Sequence, residues 1–233
     1  PTDEHWKQAK WCLQYLAGTA DLGITYHGSD EVLMDGYDHR NKLIAGVDSD
    51  LGGCHDTQKS TSGAVVMLNG GAVWWKSRKQ TTLSTATTEA ECKAAVLVGM
   101  QLHWLRDLLG EFGHRQGCIR VLEDNSGLVH IAHGQKDSAK TAHFRRAVTF
   151  VEEKCHRGIM WLDDTPSEEN WSDMFTKSIE SATLFKKLND IVMGVTPRLY
   201  VSPGAALMIR TGVGANTSEL LRNARLLMEN DES

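Results

Sequence analysis

The chain has 233 residues, 41% of them hydrophobic and 24% charged, with a net charge of −5 at neutral pH. That is enough chain for one good core plus an appendage, or for two small domains. No apolar run approaches the roughly 20 residues of a membrane-spanning helix. The negative charge does not point to nucleic-acid binding, nor does it exclude it, because basic patches and bound metal offset a modest acidic total.

The N-terminus, PTDEHWKQAK, is polar and begins without Met. It reads as neither a signal peptide nor a natural start, so a fragment of a longer protein is expected. The cysteines at 12, 54, 92, 118 and 155 form no CxxC pair. Free thiols in an intracellular protein, cytoplasmic or nuclear, are expected rather than disulfides or zinc. Asn170 and Asn216 match the glycosylation pattern, which without a secretory signal is read as chance.

In chain order, residues 2–17 predict a helix. Thr2 suits its cap, Asp3 and Glu4 its first turn, Gly18 its end, and Trp6, Ala9, Leu13 and Leu16 fall near one face. Leu22 to His27 predicts a short strand, and Gly28 to Lys42 a loop or small hairpin. The stretch from Leu43 to Gly71 organises the rest. An apolar run (Leu43 to Val47) ends on Asp48 and Asp50, and Gly52-Gly53 allow a turn. A second strand, Ala64 to Leu68, follows, and Asn69-Gly70-Gly71 signals a hairpin into Ala72-Val73-Trp74-Trp75. This antiparallel meander places Asp48 at the centre of a sheet, where a lone carboxylate is costly to desolvate and needs a partner such as a metal ion.

A basic segment, Lys76 to Gln80, comes next. Thr87 or Thr88 opens the longest helix, to about Leu109, with Ala95, Val98, Leu102, Leu105 and Leu109 at helical spacing and Glu91 one turn in. Ile119 to Leu122 predicts a fourth strand ending on Glu123-Asp124, parallel to the first, and Asn125 begins a short helix to about Ala132. A helix from about Thr141 to His156, a fifth strand from Ile159 to Leu162, a helix capped by Ser167 with Asp173 near its start, and a helix from about Ala182 to Met193 complete the series. The stretch from 195 to 215 reads as loosely structured, and Asn216 with Glu219 caps a last amphipathic helix over 216–229.

Four acids stand out by position: Asp48, Glu91, Asp124 and Asp173. Strand ends and helix starts converge on one rim of an open sheet. Four carboxylates gathered there repel one another unless cations neutralise them. Oxygen-only ligands favour Mg²⁺ or Mn²⁺ over zinc, and two such ions about 3.5–4 Å apart suit in-line displacement at phosphorus. On spacing alone, solvated strand-end acids remain the plainer account.

The motifs add a resemblance. GVDSDLGGCHDTQKSTSGAVVMLNGGAVWWKSRKQTTLSTATTEAECKAA resembles the RNase H domain of copia-type retrotransposon Pol polyproteins. Those carry a strand ending SDADWAG, then DTxxSTSG, WxSxKQ and an STEAEY-like helix start. Glu123-Asp124-Asn125-Ser126 matches the family's xDNxS, KTAHFRRAVTFV (140–151) its KTKHIDIRYHFI helix, and Trp171-Ser-Asp173-Met-Phe-Thr-Lys177 its ADxLTK. HWKQAKWCLQYLAGTADLGI is similar to the segment that joins reverse transcriptase to RNase H. The departures are Leu51, Cys92, Thr149 and Ser172, none of them a proposed metal ligand.

The resemblance implies an RNase H-like α/β fold: a five-stranded mixed sheet, three strands antiparallel and two parallel, flanked by helices. It implies the end of the reverse transcriptase or connection segment over 1–42, the RNase H-like domain over 43–193 and a tail over 194–233. It puts the metal-binding, catalytic acids at Asp48, Glu91, Asp124 and Asp173, with Glu91 preferred to Glu89 and Asp50 read as supporting. It implies two Mg²⁺ or Mn²⁺ ions and hydrolysis of the RNA strand of an RNA–DNA hybrid, with the reverse transcriptase of the same polyprotein as a partner. Nucleic-acid contacts are expected from Lys76, Arg78, Lys79, Gln80 and Ser62, with Ser60 and Thr61 equally suited to turns. His143 is a candidate proton relay. Of Trp74 and Trp75, one is expected in the core and the other outward. The alternative is a decayed domain that only binds nucleic acid or a partner.

Overall fold

The computed structural model describes residues 2–27, 33–34, 37–38, 41–134 and 139–195. Five strands form one sheet: β1 (Leu43–Asp50), β2 (Thr61–Leu68), β3 (Gly71–Lys79), β4 (Ile119–Glu123) and β5 (Met160–Asp164), in the order β3-β2-β1-β4-β5. β1, β2 and β3 pair antiparallel, while β4 lies parallel to β1 and β5 parallel to β4. The expected mixed sheet is therefore present, with β1 at its centre. Being covered on both sides, β1 is buried from Leu43 to Ser49. Asn69 and Gly70 make the β2–β3 turn with φ of 51° and 82°, the left-handed pair that an Asn-Gly hairpin requires.

Two apolar layers sandwich the sheet. On one face α2 (Thr87–Glu111), α3 (Ser126–Ala132) and α4 (Arg145–His156) bury Val98, Leu102, Leu128 and Val151 against Ala45, Val47, Val66 and Val121. On the other, a 3-10 turn (Trp171–Phe175) and α5 (Ala182–Val192) cover Ile44, Val65, Met67 and Leu122. Period-two alternation along β1 and β4 sends successive side chains to these two layers. A helix α1 (Asp3–Gly18) precedes the sheet, with Thr2 and His5 closing a capping box, and none of its residues is buried.

Two glycines decide how the second layer docks. A Cβ on Gly46 of β1 would lie 2.6 Å from Ser172 Oγ, and one on Gly63 of β2 would lie 2.6 Å from Thr176 Cγ2 and 2.9 Å from Phe175 Cβ. All three distances are below contact, so only glycine lets the segment 171–176 lie flat on the strands. Asn170 fastens it: its Nδ2 donates to Val47 O (2.8 Å) and its Oδ1 accepts from Ser172 N (3.2 Å). Asn170 is wholly buried, which removes it as a glycosylation acceptor.

Several boundaries differ from expectation. Residues 22–27 form no strand, because their backbone bonds go to separate partners: Thr25 N to Met193 O (2.8 Å) and His27 N to Asn69 O (2.9 Å). β3 runs on to Lys79, so the basic segment continues the strand expected to end at Trp75. α4 begins only at Arg145, after a 3-10 turn over Ala139–Phe144. Ser167 caps no helix; two short 3-10 turns stand there, and Asn170 caps the second because its amide and the fully buried Trp171 are pinned to the sheet. Between 28 and 42 a two-residue ladder pairs Leu33 with Asp38 and Met34 with Tyr37. The helix expected over 216–229 lies outside the described residues.

Candidate metal centre

Four elements bring acids to the open end of β1 and β4. Asp48 is two residues from the end of β1, Asp124 follows the last residue of β4, Glu91 lies in the second turn of α2, and Asp173 sits in the 171–175 turn. Carboxylate oxygens of Asp48, Asp124 and Asp173 come within 4.8 Å of one another. So do those of Glu91, Glu123 and Asp124. Asp124 belongs to both groups. Asp48, Glu91 and Asp173 are almost fully buried, and Glu123 is completely so.

The acids are held but incompletely satisfied. Thr176 Oγ1 donates to Asp48 Oδ2, and Ser167 Oγ donates to Asp124 Oδ2. Lys177 Nζ lies 2.9 Å from Asp173 Oδ2 and 4.0 Å from Asp48 Oδ2. Asn125 N donates to Glu123 Oε1 at 3.0 Å. Glu91 Oε2, Glu123 Oε2 and Asp173 Oδ1 are buried with no hydrogen-bond partner. A buried, unpartnered carboxylate oxygen costs several kcal/mol if charged, on the order of the effective desolvation penalty per ion.

The ionisation of the site reflects that cost. Burial, then the charges of Asp48 and Asp124, push Glu91 up to about 9. Burial, opposed by the Lys177 bond, brings Asp173 up to about 6. Burial also raises Asp48 against the pull of Thr176 and Lys177, and burial with the neighbouring Glu91 raises Glu123 well above the carboxylate range. Burial works against the Lys177 ammonium, but Asp173 and Asp48 outweigh it and raise its pKa. The cluster thus takes up protons wherever positive charge is lacking. Its donors are all oxygen, and three point into the interior unpartnered, which fits a hard divalent cation such as Mg²⁺ or Mn²⁺.

The two acids of the α2 start part company. Glu91 turns into the cluster. Glu89 instead accepts from Thr85 N (2.8 Å) and meets Lys93 Nζ (2.9 Å) and His143 Nε2 (3.2 Å). Burial alone would raise Glu89, but the Lys93 and Thr85 bonds prevail and hold it down at about 2. His143 also lies 3.1 Å from Thr85 Oγ1, so it joins its turn to the start of α2.

Of the expected nucleic-acid contacts, Lys76, Arg78 and Lys79 are exposed on β3. Lys79 Nζ donates to Cys54 Sγ at 2.7 Å. Gln80 and Ser62 are different: both are buried, and Gln80 Nε2 donates to Ser62 Oγ and to Ala90 O at 2.9 Å each. Their polar atoms tie the β2–β3 end to α2 and are not presented to a substrate. Trp74 packs on the α2 layer, and Trp75 is exposed. The Asp50 carboxylate folds over its own turn, where a Cβ on Gly53 would overlap it.

Glu123, expected only as a strand end, also belongs to the site. Its signal was parity. Ile119 and Val121 face the α2 layer, so the third residue of that alternation faces it too and meets Glu91.

No protein-family model matches the sequence. Over 179 residues the chain is 31% identical to the retrovirus-related Pol polyprotein from transposon TNT 1-94 of Nicotiana tabacum, covering 77% of this chain and 13% of that one. Over 180 residues it is 27% identical to the Pol polyprotein from transposon RE2 of Arabidopsis thaliana, covering 77% and 12%. The chain therefore spans only about an eighth of these relatives. Among solved structures, LC11-RNase H1 isolated from compost overlaps with a TM-score of 0.48 at 18% identity, over 58% of this chain and 93% of that one. The motif resemblance is matched by the sequence relatives over about three quarters of the chain: its homologues are retrovirus-related Pol polyproteins from transposons.

Proposed function

We propose that this chain is a metal-dependent ribonuclease of the RNase H type, which hydrolyses the RNA strand of RNA–DNA hybrids as one part of a retrotransposon Pol polyprotein. The observation that carries the reading is the meeting of Asp48, Glu91, Asp124 and Asp173, from four separate elements, around buried oxygens with no protein partner. The sequence relatives supply the context of reverse transcription. In this reading Asp48, Asp124 and Asp173 hold one divalent cation, and Glu91 with Asp124 holds another. Bound cations there supply an activated water and charge stabilisation for the leaving oxygen. Water oxygen attacks phosphorus and the P–O3′ bond breaks, leaving a 3′-hydroxyl and a 5′-phosphate.

The remaining residues position the substrate. Lys76, Arg78 and Lys79 line the exposed end of β3 and meet phosphates of the hybrid. Contacts to 2′-hydroxyls across the minor groove distinguish the RNA strand from the DNA strand. Lys177 balances Asp173 and Asp48 and keeps the cluster compact before cations bind.

The test is cleavage of a labelled RNA–DNA hybrid with magnesium, with manganese and with EDTA. Metal-dependent loss of the RNA strand alone, abolished by Asp48→Asn and by Asp124→Asn in folded protein, is the expected result. Retained cleavage in both variants overturns the assignment. Cation and hybrid binding without cleavage, even with the reverse transcriptase attached, assigns the chain to the binding-only alternative.

A further inference from the structure

We infer that Glu123 is a fifth carboxylate of the centre and that Glu123, Glu91 and Asp124 together form a cation position of their own, joined through Asp124 to the position formed by Asp48, Asp124 and Asp173. This rests on the metal-centre reading above and goes beyond it, because the motif that identifies Asp124 assigns nothing to the residue before it.

Three observations carry the inference. First, the geometry divides the acids into two triads, each with one oxygen per residue within 4.8 Å of the others, and only Asp124 is common to both. Second, Glu123 is wholly buried, and only one of its oxygens is engaged: Oε1 accepts from Asn125 N, while Oε2 has no partner. Third, Glu91 Oε2 on the facing helix is buried and unpartnered in the same way. The two residues that carry these orphaned oxygens belong to the same triad, one on the sheet and one on α2. As an acceptor for Asn125 N the Glu123 carboxylate uses Oε1 alone.

Strand parity explains why this triad is separate. Glu123 shares the α2-facing side of β4 with Ile119 and Val121. Asp48 shares the opposite side of β1 with Ile44, whose layer includes the 171–175 turn that carries Asp173. The two triads therefore approach the sheet end from opposite faces, and Asp124, just past the strand, is reached from both.

The experiment counts Mn²⁺ ions bound by the whole chain, by isothermal titration and by electron paramagnetic resonance of free Mn²⁺. Glu123→Gln is the informative variant, because its amide oxygen still accepts from Asn125 N. The wild-type chain should bind two ions, Glu123→Gln one, and Glu91→Gln should lose the same ion as Glu123→Gln. Asp173→Asn should lose the other. If Glu123→Gln does not fold, as judged by circular dichroism, Glu123→Met takes its place with the same required loss. Two ions bound by the Glu123 variant with unchanged affinity overturn this inference alone, provided that Asp48→Asn or Asp173→Asn reduces binding. No ion bound by the wild-type chain overturns it together with the metal-centre reading.

Discussion

Gly63 stands directly opposite Asp48 in the β1–β2 ladder. The pairing explains why a glycine interrupts an otherwise bulky β-strand beside the candidate centre. A Cβ on Gly63 would press on Thr176 Cγ2 (2.6 Å), Phe175 Cβ (2.9 Å) and Ser172 O (3.0 Å). These atoms belong to the segment that supplies Asp173, and Thr176 is also the donor to Asp48. The turn and the strand cannot both keep their places around a larger residue. Gly63→Ala should therefore destabilise the fold by about 1–3 kcal/mol, the usual cost of overpacking. It should also weaken Mn²⁺ binding, because Asp173 moves away from Asp48. Urea denaturation and a manganese titration check the two effects, and an unchanged midpoint would contradict the close approach.

Glu89 makes a second, structural use of an acid only two residues from Glu91. It collects Thr85 N, Lys93 Nζ and His143 Nε2 around one buried carboxylate. Glu89→Ala takes the carboxylate acceptor from Thr85 N and from Lys93, whose ammonium keeps Thr82 Oγ1, Leu83 O and Ser84 Oγ, and should cost about 1.5–3 kcal/mol, the usual worth of hydrogen bonds to a charged group. It should also loosen the turn over residues 141–144 from α2. The expected signs are a lower melting temperature and faster amide exchange in residues 141–144. Since Glu89 is held at about 2, against an ordinary value of 4.5, its contribution is present above that ordinary value. It is lost as the pH falls from there towards 2, and the acid limb of the wild-type stability curve should flatten in the variant.

Helix α1 presents the opposite case. Trp6, Trp11, Leu13, Tyr15 and Leu16 are all exposed, and the helix buries none of its residues. An isolated helix of this length is marginal in water. Removing the chain up to Thr19 should change the unfolding free energy of the sheet by no more than about 0.5 kcal/mol, as for surface changes away from the core. Amides of α1 should exchange much faster than those of β1. Protection of α1 comparable to that of β1 would show that the helix packs on the sheet in solution.

The sheet was legible because its signals are local. The apolar run ending on Asp48, the Asn69-Gly70 turn and the helical spacing of Ala95, Val98 and Leu102 each specify one element. The four separated acids could be paired with elements in the same way, one acid per strand end or helix start. What escaped was set by tertiary docking. The local signals predict a helix capped by Ser167 with Asp173 near its start, but Asn170 is pinned to Val47 O and the segment forms a short turn that carries Asp173. Gln80 and Ser62 looked like surface polar residues because nothing local indicates that Gln80 reaches Ala90 O on the start of α2. Glu123 is masked by its neighbour: the motif falls on Asp124, the second residue of an acidic pair, while strand parity points to the first.

The final prediction concerns pH and cations together. Glu91 is raised to about 9 from 4.5, and Asp173 to about 6 from 3.8. In the folded chain these groups keep protons that the unfolded chain releases at lower pH. Their contribution to stability is therefore fully present below pH about 4, near the unperturbed carboxylate values. It is lost in steps as the pH rises through about 6 and then about 9. The cation-free protein should melt at progressively lower temperature from pH 5 to pH 9. Divalent cations compete with those protons for the same oxygens. Added Mg²⁺ should hence raise the melting temperature little at pH 5 and much more at pH 8. Burial is the main cause that raises Glu91; Asp48→Asn leaves it in place but relieves the next, the neighbouring charge. It should flatten the cation-free decline and remove most of the Mg²⁺ response at pH 8. Melts across this pH range, in EDTA and in magnesium, measure both slopes. A cation-free chain whose stability rises from pH 5 to pH 9 would mean that the acids are not buried together.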